Sequence, residues 1–334
     1  MAASSPTGKS HQGTTIATGY QPTTEDTQTA AAVPLVNKGA CDLDADWSMK
    51  PANAAQSQTN QSERQRPIFR SVSTRLGIRA PIAELLRKCL AEFFATAMFV
   101  FIGVLICRDG NIYTIAFVHG LTIAIMVASF GHISGGHINP AVTAAFLVCR
   151  DIKVLDGAAY IMSQLLGAIV GALCAWSVIR DSQYMVINGG CHFVNLEAAT
   201  EFQCFLIEIF ATAFLVLVIL KCAVDQPTNA INALVIGFAV FAAIASAGTI
   251  SGGSLNPARS FGPMVVYAAA YRSTWHNDPI CVADPMKCVN PFSIWRYAHI
   301  YFVATTLGGL LAAAVHRLLF HDHIECQRNT SLKL

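Results

Sequence analysis

The tripeptide Asn-Pro-Ala occurs twice in the chain, as Asn139-Pro140-Ala141 and as Asn256-Pro257-Ala258, and each copy opens a short apolar run. Asn is a good N-cap and Pro suits the first helical turn, so each copy predicts the start of a helix. A helix N-terminus carries about half a positive elementary charge and presents N–H donors. Two such ends facing one cavity would accept a neutral molecule with a lone pair, repel cations and interrupt a proton-conducting chain of water.

Both copies belong to a repeat that covers most of the chain. Residues 91–96 (Ala-Glu-Phe-Phe-Ala-Thr) match 207–212 (Ile-Glu-Ile-Phe-Ala-Thr), and residues 132–143 match 249–260. The repeated Glu precedes the repeated Asn by 47 residues in the first half and by 48 in the second. Each half has three long apolar stretches, an odd number, so the second half must enter a membrane from the opposite face. The pattern therefore predicts an inverted repeat, which places shared sites near the midplane at the repeat interface.

The elements that must position these residues are six apolar stretches, each able to reach the roughly 20 residues that cross a bilayer as a helix. They run approximately over 89–107, 112–130, 157–179, 202–220, 231–250 and 298–315. Two shorter apolar pieces, 141–148 and 258–270, are re-entrant or interfacial candidates. Hydrophobic residues make up 54% of the chain and charged residues 13%, about half the usual charged share of a soluble protein. The composition excludes an ordinary soluble enzyme and predicts an all-α polytopic membrane protein.

The domain organisation follows from the same patterns. Residues 1–79 are rich in Ser, Thr, Gln and Ala and predict a disordered N-terminal tail. Residues 80–321 are the expected membrane domain, with repeats over about 82–180 and 200–320, and 322–334 are a C-terminal tail. With six crossings and a cytosolic N-terminus, 16 of the 22 Lys and Arg residues lie on the cytosolic side and five lie outside. This asymmetry predicts that both termini are cytosolic. The plasma membrane is the expected location, with an intracellular membrane as the alternative.

These motifs resemble those of the aquaporins, the major intrinsic protein family, over about residues 82–320. The resemblance rests on both Asn-Pro-Ala boxes and on Glu92 and Glu208, each with Thr four residues on. It also rests on 160–168 (Tyr-Ile-Met-Ser-Gln-Leu-Leu-Gly-Ala) and on 256–263 (Asn-Pro-Ala-Arg-Ser-Phe-Gly-Pro). The resemblance implies six helices plus two re-entrant half-helices, one pore per subunit and a homotetramer.

The family has a narrow selectivity filter of four positions, which the resemblance assigns to His119, Ile244, Gly253 and Arg259. Arg259 would supply fixed N–H donors and a charge that opposes cations. His119 would add a polar ring, Ile244 an apolar wall, and Gly253 width. This set is wider and more amphipathic than that of strictly water-selective members, and it resembles the aquaammoniaporin branch (the aquaporin-eight type). That resemblance implies passage of water, ammonia and hydrogen peroxide.

Glycerol-conducting relatives usually carry Asp directly after the filter Arg, where this chain has Ser260. They also lack the aromatic pair that is read here at Tyr301-Phe302. Both differences disfavour glycerol. In the sixth stretch the chain has Ala304-Thr305 where the family often has Gly-Pro, which predicts altered helix packing at that point.

Four further polar residues are candidates for supporting the re-entrant loops, and two of them also have a functional interpretation. Glu92 and Glu208 are intramembrane acids, which suggest an ion or proton site by default. The favoured interpretation is that each carboxylate holds backbone N–H groups of a re-entrant loop, because a proton relay would defeat a proton-excluding pore. Gln164 is assigned to loop support. His137, two residues before Asn139, is expected to stabilise its loop.

The cysteines carry two hypotheses. Cys281 and Cys288 lie in a segment that the topology places outside, where a disulfide is one hypothesis and Cys191 is a competing partner. Cys89 lies beside Arg87 and Lys88, whose charges favour a reactive thiol, so its oxidation is a hypothesis for tuning the pore.

The function that the sequence predicts is a passive channel for water and small neutral solutes, with the lipid bilayer as its environment. A facilitator that also admits glycerol or urea, a closed-pore structural or junctional membrane protein and an ion-coupled transporter are the alternatives. No nucleophile–base or metal-ligand constellation stands out, so no enzyme, cofactor or metal is expected. The net charge of +2 gives no reason to expect a nucleic-acid partner.

Overall fold

The computed structural model describes residues 79–271 and 293–320, which fall within the unit Arg64–Leu334. All regular structure in these ranges is helical, which confirms the all-α expectation. The predicted tails lie outside the described residues except for residue 79, and so do Cys281 and Cys288. The α-helices of the described part are α1 Ala80–Ile106, α2 Ile112–Ser134, α3 Pro140–Cys149, α4 Val154–Val178, α5 Asp181–Val186, α6 Glu201–Ile219, α7 Asn232–Ala247, α8 Pro257–Tyr271 and α9 Thr305–Leu319.

Five segments of the described part are long and apolar enough to cross a membrane: Ala80–Asp109, Ile112–Ser134, Val154–Val178, Glu201–Val224 and Ile300–Leu319. The fifth stretch of the sequence, 231–250, differs from the expectation. Its helix α7 has 16 residues and is therefore about 24 Å long at 1.5 Å per residue. It ends at Ala247 and is followed by a turn, in which Ile250 N–H donates to Ala247 O at 3.0 Å.

Helix packing follows the repeat. In the first half α4 packs against α1, and in the second half α9 packs against α6. Glycines make both contacts close: a Cβ on Gly171 would overlap the carbonyl of Ala97 in α1, and a Cβ on Gly308 would overlap the carbonyl of Ile209 in α6. The halves are joined where α2 packs on α7, α8 on α4, and α3 on α9. The bundle has a proximal end, where α1 begins, and a distal end, where α1 ends and α2 begins.

The two short apolar pieces form the half-helices α3 and α8. Asn139 caps α3, and its Oδ1 accepts from Ala141 N–H at 2.8 Å. Asn256 precedes α8, and its Oδ1 accepts from Ala258 N–H at 2.9 Å. Both helices therefore begin in the middle of the chain's packed interior, at residues that the sequence singled out. Because α3 has only 10 residues, it is too short to span a membrane by itself.

Two π-helical turns interrupt the long segments, at Leu220–Val224 and at Ile300–Ala304. The second one ends at the Ala304-Thr305 pair, where the sequence predicted altered packing. Thr305 Oγ1 donates to Tyr301 O at 2.7 Å, so the hydroxyl provides a donor to a carbonyl of the widened turn. Such turns occur frequently at functional sites.

Candidate functional site

Each half-helix is preceded by a loop whose backbone is left-handed at equivalent positions. Ile138 has φ 54° and Leu255 has φ 58°, and each lies directly before its Asn. A non-glycine residue in this region costs roughly 1–2 kcal/mol, and such strain persists only where the surroundings fix it. The surrounding polar groups must therefore hold both loops in place.

Glu92 holds the first loop. Its Oε1 accepts from Ser134 Oγ at 2.6 Å and from His137 N–H at 3.0 Å. Its Oε2 accepts from Ile138 N–H at 2.7 Å and from Gln164 Nε2 at 2.8 Å. The carboxylate is fully buried and receives four donors, so its lone pairs are used for loop support.

Glu208 holds the second loop in the same way. It accepts from Ser251 Oγ at 2.7 Å, from Ser254 N–H at 2.8 Å and from Leu255 N–H at 3.0 Å. The side chain is also fully buried. Both acids thus have the geometry that the loop-support interpretation requires, with backbone donors on each oxygen.

Two tyrosines complete the support, and the sequence had not assigned this role to them. Tyr160 OH donates to Ser134 O at 2.8 Å, and Tyr301 OH donates to Ser251 O at 2.8 Å. A signal for the serines was present, since Ile-Ser-Gly-Gly occurs in both repeats. Both tyrosines lie in motifs that the sequence had singled out, but their contacts with the loops were not predicted, because they reach the loops from α4 and from the π turn before α9.

The two Asn residues tie the loops to each other. Asn139 Nδ2 donates to Leu255 O at 2.8 Å, and Asn256 Nδ2 donates to Ile138 O at 2.9 Å. The left-handed backbone at Ile138 and Leu255 turns these carbonyls towards the partner Asn. Each amide has two N–H groups, so each Asn retains one donor beyond the tie. Both Asn residues line the main cavity.

This cavity has a volume of about 460 Å³ and extends from the proximal segment around Pro227 and Asn229 to the two Asn residues and Ile244. Its wall is mainly apolar, with polar groups from His132, His137 and both Asn side chains. An apolar wall with a few placed polar groups is typical of a site for small molecules.

His119 and Arg259 form a buried pair beyond the two Asn residues. Arg259 Nε donates to His119 Nε2 at 3.2 Å. His119 Nδ1 lies 2.8 Å from Ile115 O, a carbonyl that only accepts, so Nδ1 carries the proton. Both ring nitrogens therefore have intramolecular partners, and His119 helps to fix the position of Arg259.

Three further contacts fix the guanidinium. Nη1 donates to Gly190 O at 2.8 Å, and Nη2 donates to Gly103 O at 3.3 Å and lies 3.8 Å from Cys107 Sγ. Gly190 belongs to the segment between α5 and α6, and Gly103 belongs to α1. A Cβ on Gly103 would lie 2.6 Å from His119 Nε2, so this glycine leaves the room that the pair occupies.

Ile244 and Gly253, the other two predicted filter positions, also lie together. A Cβ on Gly253 would lie 3.3 Å from Ile244 Cα. Gly253 has φ 62°, a conformation that favours glycine. Ile244 is among the residues that line the cavity. The four positions thus form two contacting pairs, one polar and one apolar.

His192 is a further residue near the filter that sequence reasoning missed. Burial, followed by the positive charge of Arg259, holds the pKa of His192 well below its ordinary value, so the ring is neutral at neutral pH. Its ring lies 5.5 Å from the ring of Tyr301, and its Nδ1 lies 2.8 Å from Ser260 Oγ. It lies in the segment between α5 and α6, for which the sequence had no repeated pattern.

The remaining candidates occupy supporting or separate positions. The ring of His137 packs against that of Phe146 at 4.4 Å between ring centres and a tilt of 43°, and its Nδ1 lies 3.1 Å from Thr143 Oγ1. Gln164 Nε2 also contacts Thr143 Oγ1 at 3.0 Å. Cys89 is half-buried on α1 and is not a residue of the cavity wall. Within 79–271 and 293–320, no group of three or more His, Cys, Asp or Glu residues is arranged to hold a metal ion.

Comparison with known proteins gives a consistent result. The family model "Major intrinsic protein" matches residues 80–316. The chain is 32% identical to Aquaporin-8 of Mus musculus over 244 residues, which cover 72% of this chain and 84% of that protein. It is 35% identical to Aquaporin-4 of Mus musculus over 250 residues, covering 71% and 68%. It is 32% identical to Glycerol uptake facilitator protein-like 6 of Lactiplantibacillus plantarum over 238 residues, covering 70% and 98%.

The fold has a solved counterpart. The aquaglyceroporin from Plasmodium falciparum superposes with a TM-score of 0.60 and 19% identity, covering 72% of this chain and 99% of that one. At this identity the likeness bears on the fold alone. The matched family model spans most of the membrane helices and both Asn-Pro-Ala boxes. The chain therefore belongs to the major intrinsic protein family, whose members are channels rather than enzymes.

Proposed function

We propose that this channel passes water, ammonia and hydrogen peroxide down their gradients and excludes protons and ions. The observation that carries the proposal is the arrangement of Arg259, whose guanidinium donates to His119, Gly190 and Gly103. A guanidinium held by such acceptors leaves a wider passage than one that extends freely across it. A passage of this kind suits small neutral molecules with hydrogen-bonding capacity.

Ion exclusion is supported by three positive groups on one path. The half-helices α3 and α8 begin at the two Asn residues, and each N-terminus carries about half an elementary charge. Arg259 adds a full charge nearby. Because each Asn retains one N–H donor at the cavity, a passing water would donate its own hydrogens away from that point. This orientation interrupts a proton-conducting chain of water.

The two residue pairs of the proposed filter favour small neutral solutes. His119 and Arg259 provide a polar side, while Ile244 provides an apolar side and Gly253 removes a side chain from the wall. Ammonia and hydrogen peroxide are small and neutral, and each exchanges hydrogen bonds with such a surface. The similarity to proteins named Aquaporin-8 supports this branch of the family.

A facilitator that also admits glycerol or urea is the second candidate. Similarity to a protein named as a glycerol uptake facilitator favours it. Against it, Ser260 stands after Arg259, and its hydroxyl makes hydrogen bonds inside the protein. An ion-coupled transporter would need Glu92 or Glu208 to face its substrate, whereas both carboxylates hold loops. A closed-pore structural protein would not need the cavity that ends at the two Asn residues.

A panel of solutes tests the proposal. Purified protein in liposomes is exposed in turn to osmotic shock and to gradients of ammonia, hydrogen peroxide, glycerol and urea. We expect rates above those of empty liposomes for water, ammonia and peroxide, and near-background rates for glycerol and urea. Fast glycerol entry would favour the second candidate, and background rates for every solute would favour a closed pore.

The assembly and the orientation are also proposals. We expect a homotetramer with one pore in each subunit, in which the proximal end and both termini face the cytosol of the plasma membrane. The distribution of Lys and Arg supports this orientation. The membrane domain over 80–321 with two tails is proposed on the sequence pattern.

Two cysteine hypotheses remain open to experiment. Oxidation of Cys89 is proposed to tune permeability, and a Cys89→Ser variant that keeps its response to peroxide would contradict this. A disulfide between Cys281 and Cys288 is proposed for the outer segment. Free thiols at both positions, found by mass after alkylation without reductant, would contradict it.

A further inference from the structure

A chain of hydrogen bonds joins the segment before α6 to the half-helix that carries the filter arginine. His192 Nδ1 lies 2.8 Å from Ser260 Oγ. Ser260 Oγ lies 2.6 Å from Ser254 Oγ, and Ser254 Oγ lies 3.1 Å from Asn256 O. Ser260 is fully buried, so this series of hydrogen bonds lies inside the protein.

The hydrogens in this chain have one consistent arrangement. Asn256 O is a carbonyl and accepts only, so the hydrogen of Ser254 is used there. Ser254 Oγ must then accept from Ser260, whose single hydrogen is also used. Ser260 Oγ can therefore only accept from His192, and His192 Nδ1 carries a proton and donates. Nδ1, and not Nε2, is therefore the ring nitrogen that connects His192 to Ser260.

His192 and Ser260 lie close in sequence to Gly190 and Arg259. Ser260 follows Arg259 in α8, and His192 is two residues after Gly190, whose carbonyl accepts from Arg259 Nη1 at 2.8 Å. The segment at Gly190 needs support, since Asn188, Gly189 and Gly190 are consecutive residues with positive φ. The next anchor is at Asn195, whose N–H donates to Ile250 O at 3.0 Å. The His192 contact is thus the nearer of the two anchors to the carbonyl that holds Arg259.

We infer that His192 and Ser260 form a clasp that fixes Gly190 O against Arg259, which makes His192 a positioning residue for the selectivity filter. The inference deepens the proposed function and depends on it for its effect on conduction. When the clasp opens, Gly190 O moves and Nη1 loses its acceptor. The guanidinium then turns towards water in the passage and narrows it.

The geometry of the ring gives a matched pair of variants. The amide nitrogen of Asn takes the place of a His Nδ1, whereas the longer Gln places its amide near the position of Nε2. His192→Asn therefore keeps the donor to Ser260, and His192→Gln loses it. Both variants remove the ring that lies 5.5 Å from the ring of Tyr301, so a difference between them reports the donor to Ser260 and not the lost packing.

Hydrogen exchange tests the clasp without reference to conduction. Gly190 N–H donates to Ile187 O at 2.8 Å, and Cys191 N–H donates to Asn188 O at 3.1 Å. In full-length protein in lipid nanodiscs, His192→Gln should speed exchange of these two amides by about tenfold. His192→Asn should leave their exchange close to that of the parent. Equal exchange in the two variants, fast or slow, would overturn the clasp.

Permeability then tests the consequence for the filter. In liposomes, His192→Gln should lower water and ammonia permeability by roughly threefold or more, since a filter must be held within about 0.5 Å of its working geometry. His192→Asn should stay near the parent. The reverse order would show that Nε2 contacts the solute directly, and it would overturn a positioning role. If the parent itself conducts neither solute, the proposed function fails, while the exchange comparison still decides on the clasp.

Discussion

Arg259 is held by groups from three separate parts of the chain, and in the proposed filter these neighbours set the position of its guanidinium. His119 takes the Nε hydrogen, Gly190 and Gly103 take hydrogens from the two terminal nitrogens, and each contact is buried. Hydrogen bonds to a charged group contribute about 1.5–3 kcal/mol each, so losing one changes where the guanidinium rests. Residue-scale tests should therefore alter selectivity without removing the fold.

His119→Phe should shift the channel towards water. Phe cannot accept from Arg259 Nε, and it replaces a polar ring in the filter with an apolar one. We expect ammonia permeability to fall about tenfold while water permeability falls less, because Arg259 loses the acceptor of its Nε hydrogen and its guanidinium turns into the passage. The ratio of the two rates in stopped-flow measurements is the readout.

His299→Phe is the matched control, since it is the same substitution at an exposed position that is not a residue of the cavity wall. It should leave the ratio unchanged. A parental ratio in His119→Phe would contradict the filter position of His119.

At the scale of elements, the re-entrant loops are the parts under strain. Left-handed Ile138 and Leu255 are retained because Glu92 and Glu208 bind the amides of those residues. The cross ties from Asn139 and Asn256 then join the two loops. Each half-helix is therefore oriented by an acid from its own repeat and by a carbonyl from the other repeat.

Glu208→Gln should destabilise the second loop. A Gln side chain has one oxygen and one NH2 group, so at least one backbone donor of Ser254 or Leu255 would face another donor. We expect a loss of about 2–3 kcal/mol, which corresponds to a fall of roughly 5–10 °C in Tm for a protein of this size. Thermal unfolding in detergent measures it.

Glu201→Gln, in the same helix but half-exposed, should change Tm by little, because exposed ion pairs such as that with His299 contribute about 0–1 kcal/mol. An unchanged Tm in Glu208→Gln would contradict the loop-support role.

Polar contacts hold the turn between α6 and α7 at the proximal mouth. Asp225 Oδ1 lies 3.0 Å from His316 Nε2, and Lys221 contacts the other oxygen of the same carboxylate. Asn232 Nδ2 donates to Cys222 O at 2.7 Å and to Gln226 O at 2.6 Å. The His316 contact attaches the turn between α6 and α7, which carries part of the cavity wall, to α9, and the Lys221 and Asn232 contacts hold the turn together.

Asp225→Ala should loosen this turn. Removing one partner of a buried pair typically costs about 3–5 kcal/mol, and the adjacent segment 226–231 should become a preferred site of limited proteolysis. Asp156→Ala, near the start of α4 at the same end, provides the control and should leave the cleavage pattern as in the parent. If segment 226–231 stays resistant to proteolysis in Asp225→Ala, the proposed role of Asp225 in holding this turn is wrong.

At the scale of the whole molecule, the repeat made much of the fold predictable. The Asn-Pro-Ala boxes, the paired Glu residues and the apolar stretches were visible in the sequence because local patterns encode helix starts and membrane spans. The contacts of Arg259 with His119 and Gly190 were not visible as contacts, because they join residues 140 and 69 positions apart. The early end of α7 and the π turns depend on packing between helices, which periodicity in one segment does not report.

The most direct measurement is stopped-flow light scattering on liposomes that contain the purified protein, with internal pH recorded in parallel. We expect fast osmotic shrinkage, fast alkalinisation in an ammonia gradient and a proton leak equal to that of empty liposomes. Fast shrinkage without ammonia-driven alkalinisation would contradict the wide filter formed by His119 and Arg259. A proton leak that rises with the amount of protein would contradict the exclusion of protons at the two Asn residues, and with it the central claim.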